Sequence, residues 1–445
     1  MTSRTGAARL ALWIAAVLGP LSAWGQIAVG QLADLYLEAL KTNPAVTAQA
    51  RAVDRAQARH DQVASRLLPQ ATASLNAAHN DFRGEGTPSD HYGSHRNSLT
   101  VRQVLLDRAT VHQSQAEELH IQQARQELEA GRMELAAEVV EKVLDVLDAA
   151  ADLRVLRAEK ESVASQRARL RRMAERQLAK VTDLLEAEAY YVTLQAREIE
   201  TDNTLRVALE KLRQQTGVEV QALPALGDSL PQAEGDMEDW VRRGVQASAR
   251  LAAARSALEA ERSGVYSARA QHAPQLALLA TRTWSDSDSD SRRNPAYNVA
   301  SVGVQLNISL FEGGRVEGAV REALAREAIA RAQYDEARRE VEVQIRTAWL
   351  KLQGGRQRID AAQLTVQAQE KARDAQQRGF ELGAVTVVDV LETQRRLFRA
   401  RADQQRVRHD YVRSLAALRR HAGMLDAAEM QAIGRLFSGP PPALR

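Results

Sequence analysis

Residues 301–314, SVGVQLNISLFEGG, decide the fold class of this chain of 445 residues. Apolar side chains at positions 302, 304, 306, 308 and 310 alternate strictly with Ser, Gly, Gln, Asn and Ser. Because successive side chains of a strand point to opposite faces, the alternation predicts a β-strand with one apolar and one polar face. Directly after Gly313 and Gly314, a long proline-free segment predicts a helix. The stretch therefore joins an amphipathic strand to a helix.

This stretch is the second copy of a pattern that occurs about 205 residues earlier in the chain. Residues 98–107, SLTVRQVLLD, keep the alternating phase, with Gln103 as the exception. LPQ at 68–70 reappears as APQ at 273–275, and LEKLRQQTG at 209–217 reappears as LAALRRHAG at 415–423. Solenoid repeats have periods of ~20–50 residues, so this period is too long for a solenoid. It indicates a duplicated half-molecule that contains both strands and helices.

Long helices are predicted after each pair of strands. Residues 111–178 and 314–378 contain no proline, and at 1.5 Å per residue each segment predicts a helix of about 100 Å. Shorter helices are predicted at about 29–66, 183–216, 236–271 and 386–422. Stacking helix 183–216 on helix 236–271, and helix 386–422 on helix 29–66, would match the long helices in height. We therefore expect a cylinder-like bundle with the strands at one end and helix tips near residues 180 and 382 at the other.

The strands predict how the chain meets a membrane. Strands are expected at 70–79 and 97–106, with a polar loop at 83–96 between them, and again from residue 275 and up to residue 310. A half-buried sheet in a soluble protein would give the same alternation, but four such strands favour transmembrane barrel strands. Four strands cannot close a barrel, which needs about eight, and lipid does not tolerate an open sheet edge. Several chains would then share one barrel, and three chains would supply twelve strands.

The N-terminus predicts export. Arg4 and Arg9 precede an apolar stretch at 10–18, and small residues follow at 23 and 25, which is the order of a secretory signal peptide at residues 1–25. A membrane anchor is the alternative, although the apolar core is too short to span a bilayer. We divide the remaining chain into a first repeat (26–217), a linker (218–235), a second repeat (236–424) and a C-terminal tail (425–445), which is expected to be disordered or loosely attached.

Composition and motifs argue against several other classes of protein. The chain has no cysteine, and its net charge of +3 comes from nearly balanced acids and bases without a basic stripe, so nucleic-acid binding gains little support. The sequence contains no metalloprotease motif, phosphate-binding glycine loop or nucleophile elbow. Asp286, Asp288 and Asp290 have the spacing of a calcium loop, but Ser291 and Tyr297 replace the required Gly and Glu. We therefore expect no enzyme, no metal site and no cofactor.

Several motifs together resemble the TolC family, the outer-membrane channel-tunnels of Gram-negative bacteria. They are the duplicated plan itself, Asn43-Pro44, LPQ at 68–70, LFEGG at 310–314 with Phe311, Gly313 and Gly314 at the strand-to-helix junction, and RGFELG at 378–383 followed by Thr386 and DVLE at 389–392. The last of these resembles the periplasmic turn of the family. The first half keeps Asp183 and Glu186, but its turn is expected to be about four residues shorter and to lack both glycines.

The resemblance implies a mostly helical protomer with a small transmembrane β part. Three protomers would form a twelve-stranded barrel in the outer membrane and an α-helical barrel across the periplasm. Acidic residues would ring the periplasmic entrance, and Asp389 and Glu392 are the candidates; the alternative is that both are solvated charges near a helix N-terminus. The turn residues of this tip are Gly379, Phe380, Gly383 and Thr386, with both glycines allowing the tight turn.

The implied partners are two further copies of the chain, a periplasmic adaptor, an inner-membrane transporter and outer-membrane lipid. The missing lipidation cysteine favours type I protein secretion over export of small drugs, since many drug-efflux relatives are lipoproteins. Two alternatives from other classes remain open, a periplasmic coiled-coil scaffold without a pore and an exported enzyme.

Overall fold

The computed structural model describes residues 31–83, 89–287 and 296–442. The predicted signal peptide, most of the tip of the predicted polar loop, and Asp288 and Asp290 lie outside these residues. The helices are α1 (Leu32–Thr42), α2 (Pro44–Ala64), α3 (Arg108–Glu175), α4 (Val181–Thr216), α5 (Met237–Ala247), α6 (Ala249–Ala270), α7 (Arg315–Glu381), α8 (Val387–His421) and α9 (Ala427–Gly434). The strands are β1 (Gln70–Phe82), β2 (Asp90–Leu106), β3 (Gln275–Ser287) and β4 (Ala296–Asn307).

The four strands form one antiparallel sheet in the order β1-β2-β3-β4, so β1 and β4 are its edges. All four strands connect to helices at the same end of the sheet, and the strand ends at Phe82, Asp90, Ser287 and Ala296 lie at the other end. Pairing across the sheet brings mostly apolar side chains to one face and mostly polar side chains to the other. One face carries Ala73, Leu75, Leu99, Val101, Leu278, Ala280, Val302, Val304 and Leu306, and the other carries Thr72, Ser74, Ser98, Thr100, Thr281, Thr283, Ser301 and Gln305.

Three of the predicted strands had the wrong bounds, and the first of them ends at Phe82 and not at residue 79. The second strand begins at Asp90 and not at residue 97, because β1 extends to Phe82 and pairs with β2 along its whole length. The fourth strand ends at Asn307 and not at residue 310, so the alternation of apolar residues continues for three residues beyond the last pairing with β3.

The shorter helices pack around α3 and α7 at two levels, one near the sheet and one farther from it. These two helices have 68 and 67 residues, which corresponds to about 100 Å each, as the sequence predicted. Near the sheet, α2 and α6 pack on α3, and α6 also packs on α7. In the half farther from the sheet, α4 and α8 pack on α3, and α8 packs on α7. No helix of the described residues combines the length and apolarity needed to cross a membrane.

The shorter helices stack in a different pairing from the predicted one. The end of α4 meets the start of α2, where the Thr42 hydroxyl donates a hydrogen bond of 3.1 Å to the Thr216 carbonyl oxygen. The end of α8 meets the start of α6 in the same way, because Gly423 lies directly against the backbone of Ala247. Each half therefore completes its own stack, α4 with α2 and α8 with α6, so the predicted exchange between halves was wrong.

The predicted helix at 236–271 is broken into α5 and α6 at Ser248. The Ser248 hydroxyl accepts a hydrogen bond from the Leu251 N–H at 3.3 Å and so caps α6. In the first half, Asn43 caps α2 in the equivalent place, and Pro44 follows it. The break in the second half was missed because no proline or glycine accompanies it in the sequence.

The C-terminal tail is folded over its described residues, 425–442, which corrects the expectation that it is disordered or loosely attached. Residues 427–434 form α9, which packs on α1 and buries Met430 and Ile433 completely. Beyond it, Gly439 forms an antiparallel bridge with Ala225 in the linker. The tail, the linker, α1 and α5 surround the middle of the helical bundle, where the largest apolar core of the described residues lies.

A buried polar cluster joins α3 to α8 within this middle region. Nδ1 of His409 lies 2.5 Å from Oδ1 of Asp148, and a guanidinium nitrogen of Arg413 lies 2.6 Å from Oδ2 of the same carboxylate. Burial opposes ionisation of Asp148, but the hydrogen bonds from His409 and Arg413 outweigh burial and hold the pKa of Asp148 below its ordinary value. The cluster fixes the two helices in register.

Candidate functional site: the two helix tips

Two tight turns form the tip of the molecule at the end opposite to the sheet. In each turn five residues separate the two helices, 176–180 between α3 and α4 and 382–386 between α7 and α8. Both turns close with the same hydrogen bond, from Leu178 N–H to the Met173 carbonyl oxygen and from Ala384 N–H to the Gly379 carbonyl oxygen, each at 2.8 Å. The expectation that the first turn is about four residues shorter was therefore wrong.

The glycines of the second turn explain this error. Gly383 has a φ of 76°, in the left-handed region, and Gln177 occupies the equivalent position of the first turn with a φ of 58°. The left-handed conformation costs a residue with a side chain about 1–2 kcal/mol. Gln177 adopts it nevertheless, so the residue types of the first turn do not reveal that its backbone turns as the second does. A Cβ added to Gly379 would lie 3.2 Å from the Val385 side chain, and this close approach explains the glycine there.

The second turn ends in a complete helix cap. The carboxylate of Asp389 accepts hydrogen bonds from the Thr386 N–H at 2.9 Å and the Thr386 hydroxyl at 2.6 Å, and the Asp389 N–H donates to the hydroxyl oxygen at 3.3 Å. This reciprocal pair is a capping box, which satisfies N–H groups at the start of α8. These bonds from Thr386 hold the pKa of the exposed Asp389 carboxyl below its ordinary value.

Glu392 lies one turn further along α8, where it is half-buried beside two exposed arginines. Its carboxylate lies 2.6 Å from Arg395 and 3.1 Å from Arg396. Hydrogen bonds from Arg395 and Arg396 hold the pKa of Glu392 below its ordinary value. In a single chain both predicted entrance acids are therefore ionised and already have partners, which the sequence analysis did not anticipate.

The first turn places Asp183 and Glu186 at the positions equivalent to Asp389 and Glu392, but without the cap. Lys180 occupies the capping position, and its side chain makes no capping hydrogen bond. The apolar packing also differs, since Val387 is completely buried whereas the equivalent Val181 is 65% exposed. The two tips thus have the same backbone path and different surfaces.

A missing cap predicts that the first tip can be stabilised by one substitution. In Lys180→Thr, the new hydroxyl can accept from the Asp183 N–H as Thr386 does from Asp389, which we expect to add about 1 kcal/mol of local stability. Hydrogen exchange of the amides at 181–184 should slow about fivefold. The reverse change, Thr386→Lys, should speed exchange at 387–390 by a similar factor. Unaltered exchange in both variants would contradict the assigned role of the cap.

The predicted strand-to-helix junction is extended in the second half only. In the first half Asp107 follows β2 directly and caps α3, accepting from the Thr110 N–H at 3.1 Å. In the second half seven residues separate β4 from α7, and Phe311 among them is almost fully exposed. Gly313 and Gly314 have φ values of 60° and 84°, so only glycine fits this path without strain.

Sequence reasoning missed two apolar stripes on the flanks of the bundle. On α4, Leu185, Val192 and Ile199 are exposed at intervals of seven residues. On α7, Val343, Leu350 and Leu364 are exposed at intervals of seven and fourteen residues. A seven-residue spacing is that of helices that pack against a partner helix, and a search for it could have found both stripes. We call these the α4 stripe and the α7 stripe.

Comparison with known proteins agrees with this architecture. The family model described as "Outer membrane efflux protein" matches residues 35–218 and 240–424. The "Outer membrane protein TolC" of Vibrio cholerae is 27% identical over 95% of this chain and 96% of its own length. The "Alkaline protease secretion protein AprF" of Pseudomonas aeruginosa is 27% identical over 98% of this chain and 93% of its own.

A solved structure shows the same fold. The outer membrane protein VceC of Vibrio cholerae superposes with a TM-score of 0.77 at 18% identity, covering 88% of this chain and 96% of that one. The matched family is one of channels and not of enzymes. The chain therefore belongs to the outer membrane efflux protein family, and it is an outer-membrane channel protein that extends into the periplasm.

Proposed function

We propose that three copies of this chain form one continuous duct through the outer membrane and the periplasm. The observation that carries the proposal is the sheet, which has one apolar face and two unpaired edges, β1 and β4. Pairing β4 of one copy with β1 of the next satisfies both edges, and three copies give a closed barrel of twelve strands. The apolar face then meets lipid, and the polar face lines the pore.

The flanks of the helical bundle support the same assembly. The α4 stripe and the α7 stripe lie on helices that do not pack on each other within one chain. Both stripes alternate large and small side chains, with Ala189 and Ala196 on α4 and Gly354 and Ala361 on α7. Small residues allow close approach of helices, so the α4 stripe of one copy fits the α7 stripe of the next. Side-by-side packing of three copies would close a helical tunnel below the barrel.

In this proposal the duct exports substrates delivered by an inner-membrane transporter and a periplasmic adaptor, and its cargo is a secreted protein. The similarity to AprF, described as a secretion protein for alkaline protease, supports protein cargo because it extends over nearly the whole of both chains. Leu178 and Leu382 are exposed at the two tips, where an adaptor would make contact. Export of small molecules is the second candidate, and the description of the family as efflux proteins favours it.

Secretion by a defined system distinguishes the two cargoes. The chain would be expressed in a strain that has a type I transporter and adaptor for a protease but lacks the outer-membrane duct. We expect protease activity to appear in the culture medium, at a level at least tenfold above the strain without a duct. In parallel, a strain lacking its drug-efflux duct would be assayed for drug resistance. Restored resistance without secreted protease would reject protein cargo and favour the second candidate.

We also propose that Asp389 and Glu392 narrow and charge the periplasmic entrance. Three copies around one axis would bring up to six carboxylates into the constriction, which would favour cations. Asp389 is exposed at the tip, as an entrance requires, and Glu392 is partly exposed beside it. The ion pairs of Glu392 with Arg395 and Arg396 reduce its net field, so Asp389 would contribute most of the selectivity.

The entrance proposal predicts the ion selectivity of the open pore. Asp389→Asn with Glu392→Gln keeps an acceptor for the Thr386 N–H and removes both charges, so we expect roughly a several-fold lower cation preference in planar bilayers. Within one chain, hydrogen bonds hold the pKa of both acids below the ordinary values, so both carboxylates are ionised and the wild-type preference for cations is expected at neutral pH. The matched control is Asp183→Asn with Glu186→Gln. Unchanged selectivity in the first variant would reject the assigned ring.

A further inference from the structure

A single arginine lies on the apolar face of the sheet. Arg282 of β3 pairs across the sheet with Leu99 of β2 and Ala300 of β4, so its side chain leaves from the face that carries the leucines and valines. The side chain is exposed. An arginine on the lipid side costs about 2–4 kcal/mol at the middle of a bilayer and about 0–1 near its surface. The energetic cost of Arg282 therefore depends on its depth in the bilayer and on the direction of its guanidinium.

Arg282 extends towards the loop end of the sheet. Its Nε donates a hydrogen bond of 3.4 Å to Oδ1 of Asn298, and its Cζ lies 5.1 Å from the centre of the Trp284 ring. Trp284 and Asn298 pair with each other two residues nearer to the loops, on the same face as Arg282. Tryptophan and a bent cationic side chain are both typical of the boundary between hydrocarbon and headgroups.

Among the residues that the structure describes, Asn298 is the hydrogen-bond acceptor of the Arg282 guanidinium. No salt bridge within 4.0 Å joins Arg282 to a carboxylate of the residues that the structure describes. Asp286 lies on the same face, four residues along β3 from Arg282 and beyond the Trp284 ring. The Asn298 amide occupies Nε alone, which leaves the two terminal nitrogens, the pair that binds phosphate oxygens in a fork.

A neighbouring copy of the chain cannot cover this position. β3 is an inner strand that pairs with β2 and β4 of its own chain, so the edges through which copies would join lie one strand away on one side and two on the other. The apolar residues around Arg282 face outwards together with it, and lipid is the partner that fits such a face. A lipid headgroup also supplies the negative charge that the arginine lacks.

We infer that Arg282, with Trp284 and Asn298, binds a phosphate group of a membrane lipid at the loop end of the sheet. This inference rests on the proposed barrel, in which the apolar face meets lipid. The guanidinium holds the phosphate oxygens, the indole ring packs on the guanidinium and on the lipid boundary, and Asn298 fixes the direction of the side chain. One such site per chain would anchor the barrel at a defined depth.

The test measures lipid binding to the purified full-length protein in detergent by native mass spectrometry. The probes are lipid A with both phosphates, chemically dephosphorylated lipid A, and inorganic phosphate at the same concentration. We expect wild type to bind phosphorylated lipid A about tenfold more tightly than the dephosphorylated form, and Arg282→Gln to lose this difference. The matched control is Arg96→Gln, which removes an exposed arginine at a similar height on the polar face and should keep the difference.

Three results would overturn the inference. They are equal binding of both lipid A forms by wild type, an equal loss in Arg282→Gln and Arg96→Gln, and competition by inorganic phosphate at the same concentration, which would indicate a site for free phosphate. The wild-type comparison does not depend on the folding of any variant. Mass and conductance measured on the same wild-type sample separate the two proposals, since a conducting trimer without phosphate preference contradicts only this inference.

Discussion

Replacing Val302 and Val304 of β4 by arginine should abolish assembly of the protein in the outer membrane. Both side chains lie on the apolar face, where they are 76% and 63% exposed in the single chain. An arginine near the middle of the bilayer costs about 2–4 kcal/mol, and three copies would carry six of them. The combined cost, about 12–24 kcal/mol, equals or exceeds the ~5–15 kcal/mol by which folded proteins are usually stable. We expect the variant to be absent from the outer-membrane fraction.

The control for this prediction uses the opposite face of the same strand. Ser301→Arg with Gln305→Arg adds the same two charges to β4, on the face that would line the pore. This variant should reach the outer membrane in normal amount and change the conductance. Normal assembly of the Val302 and Val304 variant, or equal failure of both variants, would contradict the assignment of the two faces.

Replacing Val192 and Ile199 of the α4 stripe by glutamate should separate the copies from one another. Burial of each aliphatic side chain contributes about 1.5–3 kcal/mol, and an unpaired carboxylate in a helix interface adds a desolvation cost. The change occurs at three interfaces in a trimer, so the effect is multiplied. We expect detergent-solubilised protein to shift from a trimer to a single chain in size-exclusion chromatography with light scattering.

Two further variants test whether the loss is specific to the stripe. Thr193→Glu with Thr204→Glu adds the same charge to exposed positions of α4 outside the stripe, and each threonine hydroxyl bonds only to its own helix. This control should remain trimeric. Lysines at Leu350 and Leu364 of the α7 stripe should restore trimers to the glutamate variant by pairing opposite charges. A trimeric glutamate variant would show that the α4 stripe does not join the copies.

Much of the fold could be predicted from the sequence because its periodicities are long. The alternation at 302–306 and the proline-free segment after Gly314 specify strand and helix through many repeated positions. Element ends depend on single residues and were predicted less well. Asn43 and Pro44 indicate the break between α1 and α2 in the sequence. Ser248 makes the equivalent break between α5 and α6 with a hydroxyl cap, which many serines could provide. The packed tail depends on Met430 and Ile433 meeting α1, a contact between distant parts of the chain.

The resemblance identified the residues of the candidate site but not their contacts, and their role at an entrance stays a prediction. The resemblance pointed to Asp389 and Glu392, and the structure places them at the tip. The resemblance could not show that Thr386 already binds the Asp389 carboxylate, or that Arg395 and Arg396 flank Glu392. Gln177 adopts the conformation of Gly383 against the preference of its side chain, so the equal length of the turns is a property of the backbone that residue types alone conceal.

If one chain is a third of a duct, the detergent-solubilised particle has the mass of three chains. Purified wild-type protein would be measured by sedimentation equilibrium with the detergent contribution matched out. The full chain has a mass of 49.0 kDa. We expect a particle that contains three chains, and a particle that contains one chain would rule out the shared barrel.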